Sequence, residues 1–169
     1  VLTLVVPYPD RHAVSPRLWR GVLTGTTVED LLARCGRPIT YAYVAGRWPL
    51  SAYQTVFARE PGSAEMPSAG RPFTHRLVTS LVAAGVGFAP VVLHTGVSSA
   101  EPGEPPYPER FEVPVLTIER IGAAWAAGGR VIAVGTTAAR ALESAATDAG
   151  GLAPARGWTD VVLGPDRPA

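Results

Sequence analysis

Two patterns of apolar residues alternate along this chain. Short continuous apolar runs mark strands, and apolar residues three and four apart mark helices. Val1-Leu2-Thr3-Leu4-Val5-Val6 reads as a strand ended by Pro7 and Pro9, and residues 10–17 read as a loop. Thr27 is placed to cap a short helix running through Cys35, with Glu29 and Asp30 in its first turn and Gly36 past its end. Residues 39–44 read as a strand. Residues 46–73 are rich in Gly, Pro and Ser and show no helix-length periodicity. An irregular stretch of that length is usually functional or a connector.

The second half is more regular. Thr74 caps a predicted helix through Ala84, with Leu77, Leu81 and Val82 on one face and Gly85 as its stop. Residues 86–93 form an apolar run of the kind buried on both faces of a sheet. Residues 95–114 read as a loop rich in Pro and Glu. A helix follows over 116–127, ended by Gly128-Gly129, then a buried strand over 131–134, a helix over 137–147 and a strand over 158–163. Helices alternating with strands predict parallel strands joined by right-handed crossovers. The expected fold class is α/β: a parallel-strand α/β domain over 74–169, a connector over 51–73, and a small β-rich, barrel-like part over 1–50.

Composition narrows the classes. Of 169 residues, 47% are hydrophobic and 17% charged, which excludes a disordered, strongly charged chain. No apolar run approaches the ~20 residues of a membrane span, and no signal-peptide pattern opens the chain, so a cytoplasmic protein is expected. Cys35 is the single cysteine, which excludes an internal disulfide; it reads as a small apolar filler. All 15 basic residues are Arg, so this stretch holds no Schiff-base or P-loop lysine. A net charge of +1 leaves no strong nonspecific nucleic-acid footprint. His12, His75 and His94 lack metal-site spacing, and no metal is expected. The chain has neither an initiating Met nor a clear closing element, and reads as a piece of something larger.

In open α/β sheets, ligands bind at the carboxyl ends of strands. That rule selects Leu93-His94-Thr95-Gly96 and Gly135-Thr136-Thr137. Gly135 permits close backbone approach, and the free N–H groups of a helix start favour a carboxylate or phosphate. Arg140 and Glu143 follow one helical turn apart. Each has a plainer alternative: a structural His94, Thr136 or Thr137 as a helix cap, and Arg140 with Glu143 as a surface ion pair. The loop Glu65-Met66-Pro67-Ser68-Ala69-Gly70-Arg71-Pro72-Phe73-Thr74 reads as a stiffened connector or as an anion-binding loop using Ser68, Gly70 and Thr74.

Five segments, taken in order, resemble one family. Residues 53–63, Y-Q-T-V-F-A-R-E-P-G-S, resemble the Y-Q-T-V-Y-A-x-E-P-G-S of the S-adenosylmethionine:tRNA ribosyltransferase-isomerases of queuosine biosynthesis. Residues 67–74 resemble their P-T-A-G-L-H-F-T, and Leu93-His94-Thr95-Gly96 their L-H-x-G. Residues 129–144 resemble their G-R-V-I-A-V-G-T-T-x-x-R-x-L-E-S, and Gly157-Trp158-Thr159-Asp160 their G-W-T-D. Ser68, Arg71 and Pro72 stand where the family has Thr, Leu and His. Pro106-Tyr107-Pro108-Glu109 stands in place of M-H-S-E, so Tyr107 replaces a second His.

The resemblance implies an α/β domain carrying an inserted β-barrel. It implies transfer and isomerisation of the ribosyl part of S-adenosylmethionine onto 7-aminomethyl-7-deazaguanine in tRNA. The nucleoside is then a consumed co-substrate rather than a cofactor, and tRNA a partner. The expected catalytic residues are His94, as the proton-handling group, with Arg140 and Glu143. Ser68, Gly70, Thr74, Gly96, Gly135, Thr136, Thr137 and Asp160 are the expected substrate-binding residues. Two other readings stand beside this one: an S-adenosylmethionine enzyme with a small-molecule acceptor, and a noncatalytic relative.

Overall fold

The structure, a computed structural model, describes residues 1–8, 18–41, 43–97 and 107–164. The chain divides into two compact units, Val1–Leu50 and Ser51–Ala169.

In the first unit, β1 (Leu2–Tyr8) pairs antiparallel with β2 (Leu18–Leu23). β1 runs one residue beyond Pro7 instead of ending there, and Pro7 stands opposite Trp19. A two-stranded sheet leaves each strand one free edge, where proline's missing N–H costs no ladder bond. The pair is closed by the Thr24 N–H donating to the Val1 carbonyl at 2.9 Å. Helix α1 (Val28–Cys35) begins as its sequence predicts, the Asp30 N–H donating to the Thr27 hydroxyl at 3.1 Å. The strand expected over 39–44 does not form among the described residues. Val44 N–H donates to the Tyr41 carbonyl instead, closing a turn over which the rings of Tyr41 and Tyr43 stack. The two paired strands do not close a barrel. The loop expected over 10–17 lies outside the described residues.

The second unit opens with the irregular stretch, which holds only two short 3-10 turns, Leu50–Tyr53 and Ser68–Gly70. Helix α2 (His75–Ala83) is capped by Thr74, whose hydroxyl accepts from Leu77 N–H at 3.1 Å. A three-stranded sheet follows in the order β3 (Val92–Leu93), β4 (Glu109–Val113), β5 (Ala155–Thr159), with helices α3 (Val115–Ala126) and α4 (Thr136–Ser144). Both pairings are antiparallel, where the helix–strand alternation had predicted parallel neighbours.

The departures have identifiable causes. Of the run 86–93 only the last two residues pair. Upstream, Arg120 donates to the Phe88 carbonyl and the Thr117 hydroxyl donates to the Pro90 carbonyl, and Pro90 has no N–H for a ladder. Side chains of α3 thus take acceptors that a strand neighbour would use. The loop expected over 95–114 contains β4, the central strand. Glu109, Phe111 and Val113 alternate with Arg110 and Glu112, a period-two pattern masked by its charges. Residues 131–134 are unpaired and Ile132 is 74% exposed, so the buried strand expected there is absent from the described sheet. The last strand lies at 155–159, ahead of its expected place at 158–163, because its register is set by β4, with Phe111 opposite Gly157.

The core is small: Leu93, Phe111 and Val113 from the sheet against Ala141 of α4 and Ala145 at its C-terminal cap. Two alanines one helical turn apart let α4 lie close on the sheet. That packing orients the site, because the strand face carrying Phe111 and Val113 also carries Glu109.

Candidate functional site

One loop gathers the expected motifs. Gly62 has φ = 137°, and a Cβ there would stand 2.7 Å from His94 Nδ1, so only glycine lets the loop lie against that ring. Two residues on, Ala64 N–H donates to the Thr95 carbonyl at 2.8 Å, and the Thr95 hydroxyl donates to the Glu65 carbonyl at 2.5 Å. The loop then reaches the turn Ser68–Gly70. Ala69 meets Gly135 so closely that a Cβ on Gly135 would lie 2.8 Å from its own. Gly70 is buried beside Thr55 and Phe57. A single segment therefore touches both rim motifs, the one at His94 and the one at Gly135.

Glu109 joins those motifs from below. Its Oε1 accepts from Gly96 N–H at 2.7 Å, and its Oε2 pairs with Arg140 Nη1. Both side chains are nearly enclosed, 11% and 12% exposed respectively. Arg140 Nε donates to the Val161 carbonyl at 2.8 Å, while its Nη2 is buried without a partner among the described residues. The couple expected between Arg140 and Glu143 is replaced by this longer-range pair. Sequence spacing could propose only a neighbour on the same helix, whereas the sheet brings Glu109 within reach. Glu143 is half-buried and makes no ion pair among the described residues.

Helix α4 starts at Thr136 with Gly135 at its cap, φ = 92°, and neither Thr136 nor Thr137 supplies a capping hydroxyl. Among the described residues its cap supplies no side-chain acceptor to the first N–H groups, the end of a helix that favours an anion. Ser144 ties the far end of α4 to β5, its hydroxyl 2.6 Å from that of buried Thr159. The neighbouring Asp160 is exposed and outside this network. Thr74 serves the cap of α2 and lines an open depression with Pro72, Arg76, Leu77 and Ser80, apart from the loop contacts above. Among the described residues no group of three His, Cys, Asp or Glu side chains is placed to hold a metal, and no helix is long and apolar enough to cross a membrane.

His94 is held on three sides. Its backbone N–H donates to the Arg110 carbonyl at 2.8 Å, Gly62 covers Nδ1, which has no hydrogen-bond partner among the described residues, and Arg110 Nη2 lies 2.8 Å from Nε2. A guanidinium only donates, so Nε2 accepts and the neutral ring carries its proton on Nδ1. Burial and the Arg110 charge hold the His94 pKa below its usual 6.5, partly opposed by Glu60. The unfolded chain therefore binds a proton at His94 at a pH where the folded chain does not. The stability contributed by neutral His94 is complete above pH 6.5 and is lost as pH falls below it. Urea midpoints measured between about pH 7.5 and 5.5 should fall more for the native protein than for His94→Gln. Equal falls would place the titrating group elsewhere.

Sequence reasoning missed Glu109, Arg110, Gly62 and Thr159. The signal for Glu109 was present in the alternation of 109, 111 and 113, and for Gly62 in the E-P-G-S motif; Arg110 had no signal beyond its charge.

Comparison with known proteins decides the family. The family described as queuosine biosynthesis protein matches residues 10–169. The chain belongs to this family. Its relatives named S-adenosylmethionine:tRNA ribosyltransferase-isomerase include the protein of Methylobacterium sp. (strain 4-46), 40% identical over 85% of this chain and 43% of its own length. The Azoarcus sp. (strain BH72) protein is 42% identical over 82% of this chain and 43% of its own length. The Carboxydothermus hydrogenoformans protein is 43% identical over 67% and 35%. The chain spans less than half the length of these queuosine-family relatives.

Proposed function

We propose that this queuosine biosynthesis protein, in its full-length form, transfers and isomerises the ribosyl part of S-adenosylmethionine onto 7-aminomethyl-7-deazaguanine in tRNA, releasing adenine and methionine. The observation that carries this reading is the loop 62–69 lying against both His94 and Gly135, which gathers four of the five family segments at one place. The names of the relatives support the same activity. In this reading the corner made by Gly135, Thr136, Thr137 and Arg140 takes an anionic group such as the methionine carboxylate. Ser68, Gly70 and Gly96 bring backbone close to the ligand, and Thr74, Glu143 and Asp160 contribute from its margins. His94 handles a proton only after Arg110 leaves Nε2, because that nitrogen's lone pair is already engaged. S-adenosylmethionine is the co-substrate, tRNA the partner and the cytoplasm the location. We infer also that the unpaired apolar runs at 86–91 and 131–134 enter a parallel α/β sheet, and that residues 1–50 join a barrel, when the full-length chain is present.

The test is release of adenine from S-adenosylmethionine by the full-length protein, with and without tRNA bearing the deazaguanine. Release that requires this tRNA and weakens steeply with added salt supports the proposal. The net charge of +1 favours the second reading, a small-molecule acceptor. Release indifferent to tRNA and salt would select it. Absence of both binding and release would leave a noncatalytic relative.

A further inference from the structure

We propose that Glu109 is a positioning residue of this site, joining the loop after β3 to helix α4. The inference rests on the reading above for its kinetic consequence, but its geometry stands alone. One carboxylate oxygen accepts from Gly96 N–H, at the end of the Leu93–Gly96 motif. The other pairs with Arg140, and Arg140 in turn holds the Val161 carbonyl, beyond β5. A single nearly buried side chain thus sets the distance between the His94 loop and the middle of α4. Its own position is fixed by β4, whose register against β5 places Glu109 opposite Thr159. A carboxylate suits this place. It accepts from two directions, and its charge engages Nη1 of the Arg140 fork, while Nη2 has no partner among the described residues. Tyr107 and Pro108 precede it where the family has His and Ser, so Glu109 is the one position of that four-residue motif unchanged here.

The test compares Glu109→Ala, Arg140→Gln and the double variant in the full-length protein. The double variant leaves no charge unpaired, so it carries the test if Glu109→Ala alone fails to fold. Two readouts are needed. Amide exchange at Gly96 should quicken about tenfold or more in Glu109→Ala and in the double variant, relative to Arg140→Gln. For adenine release, kcat should fall about tenfold or more in each single variant, with KM for S-adenosylmethionine moving less than about threefold in Glu109→Ala. The double variant should be no slower than the worse single. Unchanged Gly96 exchange, or kinetic losses that multiply, would overturn the proposal. If the native protein itself releases no adenine, the functional reading fails, and Gly96 exchange still decides the role of Glu109.

Discussion

Replacing Gly135 by Ala is expected to lower stability by about 2–3 kcal/mol and to weaken S-adenosylmethionine binding about tenfold or more. Two separate costs meet at this residue. Its φ of 92° is a region that side chains with a Cβ seldom enter. The new methyl would also stand 2.8 Å from the Ala69 methyl, which is fixed to the backbone and cannot swing aside. The turn Ser68–Gly70 must then retreat from the start of α4, and the two walls of the site separate. The costs can be told apart. Ala69→Gly in the Gly135→Ala background removes the steric contact and leaves the backbone strain. Urea denaturation should show part of the lost stability returning, and calorimetry should show a larger share of the binding returning. If Ala69→Gly restores neither, the close approach of the two segments is not what the glycine serves.

The second large effect is expected at Arg140. Arg140→Ala should destabilise the protein by about 3 kcal/mol, because it leaves the nearly enclosed Glu109 charge without its partner. It also frees the Val161 carbonyl. The pair should not be read as a net source of stability. Desolvation of two charges offsets most of their attraction, so Arg140→Met with Glu109→Leu should cost much less than Arg140→Ala alone, and should still abolish turnover. Denaturation of the three proteins side by side checks this. A double variant as unstable as Arg140→Ala would mean that the ion pair itself, rather than the unpaired charge, carries the stability.

Both predictions concern contacts between residues far apart in sequence, and that distinction runs through the whole molecule. Helix starts were legible because capping is local: Thr27 with Asp30 and Thr74 with Leu77 lie three residues apart, and both hydrogen bonds form. Helix ends at Gly36, Gly85 and Gly128 were legible for the same reason, and the family motifs were legible because their letters are contiguous. Strands were not, because a strand is completed only by its neighbour. Residues 86–91 and 131–134 are as apolar as a buried strand. The carbonyls of Phe88 and Pro90 bond to α3 instead, and residues 131–134 find no neighbour among the described residues. The charged segment Glu109–Val113 became the central strand because two edges were available to it.

The sequence by itself determined the helix starts to within a residue, the family and the close backbone approach at Gly135, while the helix expected over 137–147 ends earlier, at Ser144. Only the tertiary structure decided that Arg140 answers to Glu109 rather than Glu143, that Arg110 occupies His94 Nε2, and that the loop at 62–69 touches both rim motifs. The physical reason is the reach of the forces. A cap or a turn satisfies hydrogen bonds within four residues. A nearly buried charge takes whatever opposite charge the packed sheet brings to it, and which one that is depends on strand register and not on spacing along the chain.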